Sequence, residues 1–172
     1  MNARTNFRPL LSAGTLIGIG MGGFVDGILF HQILQIHNML SARLPPNTLA
    51  NVEINMVWDG IFHAFTWVMT VLGICLLWRA GSLPDVPWSA RILAGSCLQG
   101  WGLFNLVEGI LNHHLLGIHH VVERFGLSVA DGAFLGAGVL LMVMGQVIIR
   151  TGRSNTTVTH PGPNAPRIPP GA

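Results

Sequence analysis

Four apolar runs of helical length, at residues 10–40, 52–78, 92–122 and 127–149, alternate with short polar punctuation. Each exceeds the ~20 residues that cross bilayer hydrocarbon at about 1.5 Å of rise per residue. Leu44-Pro45-Pro46-Asn47 closes the first pair, the stretch from Gly81 to Pro87 joins the second and third, and Glu123-Arg124-Phe125-Gly126 separates the last two; such clusters mark turns. The pattern predicts an all-α membrane protein, a four-helix transmembrane bundle spanning residues 10–150. The first run is too long for a signal-peptide core and carries Asp26 and His31, so it is expected to remain as a span. Residues 151–172 turn to Pro, Gly, Asn, Thr and Arg, a composition predicted to form a disordered tail.

Composition strengthens the membrane reading. Hydrophobic residues make up 50% of the chain and charged ones only 9%, where roughly a quarter of a soluble domain is charged. The expected partner is the lipid bilayer, with a second copy or a membrane redox protein as further candidates, and no nucleic acid. The chain has no lysine, so orientation rests on arginine. Arg4, Arg8, Arg79, Arg91, Arg150 and Arg153 flank one side of the spans, against Arg43 and Arg124 on the other. The positive-inside rule then predicts that residues 1–9 and the tail are both cytoplasmic. Cys75 and Cys97, in no CxxC pattern, are expected to be free packing residues.

Each apolar run contains one carboxylate followed by glycine: Asp26-Gly27, Asp59-Gly60, Glu108-Gly109 and Asp131-Gly132. An ionisable group in hydrocarbon costs ~2.5 to 3.5 kcal/mol even on insertion scales, so four of them need a compensating interaction. Histidines supply a candidate: His31 and His37 follow Asp26, His63 follows Asp59, and His113, His114, His119 and His120 follow Glu108. His160 falls in the tail and is excluded.

The polar residues also repeat. At an offset of 82, Gly18, Gly20, Val25, Gly27, His31, Leu34 and His37 meet identical residues at Gly100, Gly102, Val107, Gly109, His113, Leu116 and His119, and Asp26 meets Glu108. At an offset of 72, Val57, Asp59, Gly60, Phe62, Val71 and Gly73 meet Val129, Asp131, Gly132, Phe134, Val143 and Gly145. Biased composition explains recurring glycine, but not a recurring string of acid-Gly-Ile-Leu-x-His followed six residues later by His. The chain therefore reads as a tandem duplicated two-helix hairpin, one copy over about residues 10–80 and the other over 90–150. Two-span copies share an orientation, which predicts a pseudo-twofold axis along the membrane normal.

On an ideal α-helix Asp26 and His37 point within about 20° of each other, as do Glu108 and His119, while Asn55, Asp59 and His63 share another face. The predicted metal ligands are thus Asp26, His37, Asp59, His63, Glu108 and His119. His31 and His113 lie roughly 140° from the acids and reach the same site only if the backbone distorts; glycine after each acid permits a bulge. They join His114, His120, Asn112 and Asp131 as possible further ligands or supporting partners. Imidazole with carboxylate suits iron or copper, with zinc possible. The leading expectation is a transition-metal centre in the outer half of the bundle, serving redox or oxygen-activating chemistry or metal handling. One alternative is a metal-free proton relay or transporter using the same Asp, Glu and His groups. Another is a haem held by a histidine pair such as His37 and His119, less favoured because haem needs no intramembrane carboxylates.

The strings from Gly22 to Leu40, Asp59-Gly-Ile-Phe-His63, and Gly100 to His120 resemble those of a bacterial family of predicted four-span membrane proteins of unknown function. The resemblance covers about residues 10–150. It implies a multi-pass protein of the bacterial inner membrane and assigns no activity.

Overall fold

The computed structural model describes residues 5–154, which contain four long helices. Helix α1, Arg8–Val25, opens with Pro9 in its first turn, where the missing N–H costs nothing. It continues without interruption into a π-helical stretch, Asp26–Ile33. Helix α2, Leu49–Gly81, is capped by Thr48, whose Oγ1 accepts from Asn51 N at 3.2 Å. Helix α3, Ala90–Glu108, is capped by Ser89 and also turns π-helical, over Gly109–Leu115. Helix α4, Val129–Ser154, begins where Ser128 N and Oγ both donate to Asp131 Oδ2. The expected disordered tail lies outside the described residues.

Two of the apolar runs are shorter as helices than their composition suggests. The first helical rod stops at Ile33 rather than near residue 40, and the third at Leu115 rather than near 122. In both, the chain reverses through a left-handed residue, Gln35 at φ 49° and Gly117 at φ 53°. Glycine suits that conformation; a glutamine there costs about 1 kcal/mol or more. The two reversed segments fold onto one another, Ala42 N donating to Ile118 O and Glu123 N to Ile36 O.

The backbones of α1 and α3 pack face to face, α2 lies against α1, and α4 against α3. The expected bundle is thus a central pair with two outer helices, and α2 and α4 do not approach each other. Glycines set the central crossing. A Cβ on Gly18 would lie 2.7 Å from the Cys97 carbonyl carbon, and one on Gly100 would lie 2.8 Å from that of Thr15. The outer helices dock the same way, with Gly20 against Thr66 O, Gly102 against Gly138 O, Gly73 against Ala13 O and Gly145 against Gly95 O. Small residues are what let helices approach where lipid offers no hydrophobic drive between them.

Large apolar side chains on α2 and α4, including Ile61, Phe65, Trp67, Leu72, Leu140 and Val143, are exposed. Arg8–Ile33, Leu49–Gly81 and Val129–Ser154 are long and apolar enough to cross a membrane. The expected fourth span is not among them, because Gln99, Asn105 and Glu108 interrupt α3. Those residues face protein: Gln99 donates to Gln146 on α4, and Asn105 and Glu108 are buried. Trp101 stands mid-helix against Gly22.

Candidate metal centre

Wherever the helices turn π, they deliver histidine to the middle of the protein. A π turn closes from i to i+5, so the fifth residue on comes back above the first. His31 Nε2 accordingly lies 3.4 Å from Asp26 Oδ2, and His113 Nε2 lies 3.1 Å from Glu108 Oε1. The reversed segments then bring a second histidine to each acid. His37 Nε2 is 4.0 Å from Asp26 Oδ1, and His119 Nε2 is 2.8 Å from Glu108 Oε1. All four imidazoles are buried, and the His37 and His119 rings stack at 4.8 Å and 9°.

The far nitrogen of each ring is tied down. His37 Nδ1 is 2.9 Å from Val121 O and His119 Nδ1 is 3.0 Å from Met39 O. A carbonyl can only accept, so both Nδ1 atoms carry the proton; the Nε2 of His37, which has no hydrogen-bond partner, presents a lone pair inward, while that of His119 is hydrogen-bonded to Glu108 Oε1. His31 Nδ1 meets Asp59 Oδ1 at 2.8 Å. His113 Nδ1 is 3.0 Å from Asp131 Oδ1, close enough for an ion pair but out of line for a hydrogen bond. The two acids behind the rings are held alike: Met39 N donates to Asp59 and Val121 N to Asp131. Residues 39 and 121 are 82 apart, and 59 and 131 are 72 apart, the two offsets seen along the chain.

Two sets of potential ligands result. His31, His37 and His119 form one, and Glu108, His113 and His119 the other, each with its ligand atoms within 4.8 Å of one another. These groups could hold a metal ion. Within this cluster the Nε2 atoms of His31, His37 and His113, and Oε2 of Glu108, are buried without a hydrogen-bond partner. Leaving a polar atom so costs about 1 to 3 kcal/mol apiece, so an ion that accepts the three imidazole lone pairs at once fits the donor set.

Residues 13–152 match the model of a family described as Predicted membrane protein (DUF2243). The chain belongs to that family. No curated protein and no solved structure matches it. The matched stretch of this DUF2243 member runs from the second turn of α1 to the last turn of α4 and includes every residue of the cluster.

Three expectations for the site change. His63 is not brought to the cluster: its Nδ1 sits 2.7 Å from its own helix at Asp59 O, and its ring lies against Phe24 and Phe62. Sharing a face with Asp59 is not enough, for four residues put it about 6 Å along the axis. Asp59 stands behind His31 rather than in the ligand set, with Oδ1 taken by Met39 N and His31 and Oδ2 by Asn38 Nδ2 at 3.0 Å. His31 and His113, expected at the margin, are central. Of the remainder, Asn112 Nδ2 reaches Glu108 at 3.4 Å, His120 Nδ1 lies 3.7 Å from Asp131, and exposed His114 bonds Gly109 O. The contacts made by Asn55, which holds Leu40 N and Leu44 O, were missed; its place one turn before Asp59 is the only signal that could have marked it.

The His37 and His119 rings, the pair expected for a haem, lie face to face 4.8 Å apart.

Proposed function

We propose that this protein is an integral membrane metalloprotein, holding one or two transition-metal ions through Nε2 of His31, His37, His113 and His119 and through Oε1 of Glu108, with Asp26 beside them. The observation that carries the reading is the set of inward Nε2 atoms of His31, His37 and His113 without partners, each on a ring fixed from behind by a carbonyl or carboxylate, with His119 Nε2 held on Glu108 Oε1. Metal-binding histidines are held in this way, because the outer acceptor fixes the tautomer and raises ligand basicity. Mixed imidazole and carboxylate ligation favours iron or copper and admits zinc. Such an ion supplies either one-electron chemistry or a Lewis acid; the chain supplies a dry, preset donor set and Glu108 as a neutralising charge.

The matched contacts at offsets of 82 and 72 support a tandem duplication, with α1 and α3 crossing at a pseudo-twofold axis along the membrane normal. On that reading α3 and its π extension form a fourth span, shielded from lipid by α1 and α4, and two-span copies share one orientation. The arginine asymmetry puts both termini in the cytoplasm of a bacterial inner membrane and the histidine cluster toward the outer face.

Elemental analysis and a visible spectrum of the purified protein test the centre. A transition metal near one or two equivalents, lost in a His37→Ala, His119→Ala double variant, is the expected result. Equal metal content in wild type and double variant would defeat the reading and leave the metal-free proton relay.

A further inference from the structure

A cavity of about 290 Å³ opens between α2 and α3 and reaches the cluster from the side. Its outer wall includes Phe65 and Val107, which are exposed on the apolar flank; its inner end includes Phe62, Phe104 and Glu108, which are buried, and Asn112. The volume is at the small end of ligand pockets, which are mostly apolar with a few placed polar groups. Glu108 uses Oε1 toward His113 and His119, while its Oε2 is buried with no partner. Asn112 points one N–H at Oε1, leaving its own carbonyl oxygen as an acceptor beside the acid. At the position matching Asn112 in the other half stands Phe30, so the polar anchor exists on one side only.

The geometry points to this cavity as the binding site for a lipid-phase molecule with a flat hydroxylated ring, of the phenol or quinol class. Three phenylalanines suit a flat ring, by stacking or edge contact. The carboxylate oxygen and the amide carbonyl both accept, so the ligand must donate, and a ring hydroxyl does. The wall exposed along an apolar flank admits it from lipid rather than from water. The assignment rests on the proposed metal centre, since it makes the ring hydroxyl the group presented to Glu108 on the side away from the metal.

The test uses the full chain in nanodiscs, titrated with a decyl-substituted benzoquinol, with decylbenzene as the ring lacking oxygens. Saturable binding of one quinol per chain is expected, weakened about tenfold or more by Asn112→Leu, the range for losing a hydrogen bond in a buried site. Val107→Trp, on the exposed wall, should block binding while metal content stays at the wild-type level; Leu111→Trp on the same wall serves if the first variant fails to fold. Metal present with no saturable quinol binding, undiminished binding in the folded wall variant, or equal competition by decylbenzene would overturn the cavity assignment and leave the metal reading standing. Quinol bound as expected by a protein that holds no metal would overturn the metal reading alone.

Discussion

Gly100→Ala adds one methyl group where α1 and α3 cross, and its cost follows from what that methyl meets. The new Cβ would sit 2.8 Å from the Thr15 carbonyl carbon and 3.0 Å from Ile19 N, and closer still to the Thr15 oxygen. Carbon pairs settle at about 3.5 to 4.0 Å, and every atom met is backbone, so no rotamer change relieves the overlap. The helices must part by roughly 1 Å. Overpacking of this kind costs about 1 to 3 kcal/mol, against which alanine returns about 0.5 to 1 kcal/mol of helix propensity, leaving a net loss of about 0.5 to 2 kcal/mol. Because α1 and α3 lead directly into the stretches that carry His31 and His113, metal content should fall as well. Gly18→Ala meets the Cys97 backbone at the same crossing, so the double variant should cost less than the sum of the singles. Gly136→Ala has nothing within 4 Å and is the control, neutral or slightly stabilising. Unfolding curves in detergent micelles, with metal analysis of each sample, read both effects. A Gly100→Ala protein as stable as wild type, or a Gly136→Ala protein equally damaged, would refute the close crossing.

His63→Ala should keep its metal while His31→Ala loses it, measured by elemental analysis after gel filtration; the reverse order would return the site to the face shared by Asp59 and His63. Asp59→Asn and Asp131→Asn remove the charge behind His31 and His113 and should each weaken metal affinity by about 10- to 100-fold in chelator competition. Binding needs unprotonated imidazole and carboxylate, so protons compete with metal and occupancy should fall as pH drops through the histidine range. Dialysis against chelator at a series of pH values checks the direction. A reporter fused after Ala172 should read as cytoplasmic, and activity outside would reverse the orientation assigned from arginine.

How much of this was legible along the chain depends on which helix the reader assumes. The carboxylates, the histidine string and the two offsets are properties of residue type and order, and they single out the cluster without any geometry. Ranking the ligands needs geometry, and there the ideal α-helix misleads. At 100° per residue His31 falls roughly 140° from Asp26, yet the π turns starting at Asp26 and Gly109 put each histidine over its acid. The same assumption carried the first helix on to His37, which in fact reaches the site from a reversed segment, and admitted His63 on the strength of a shared face. A signal for the distortion was present: glycine follows both Asp26 and Glu108, and the same five-residue interval separates each acid from its histidine. Two strings that share an interval wrong for an α-helix are better explained by a changed helix than by two idle histidines. Gln35 marks the limit of such reasoning. Its counterpart Gly117 announces a left-handed reversal, but a glutamine announces nothing, and only the offset of 82 links the two. A Gln35→Gly variant should therefore relieve about 1 kcal/mol of backbone strain, less the entropy a glycine adds to the unfolded chain. A higher unfolding midpoint with unchanged metal content is the expected result. A marked drop in the midpoint would mean that the glutamine side chain, not the backbone turn, holds the segment that carries His37.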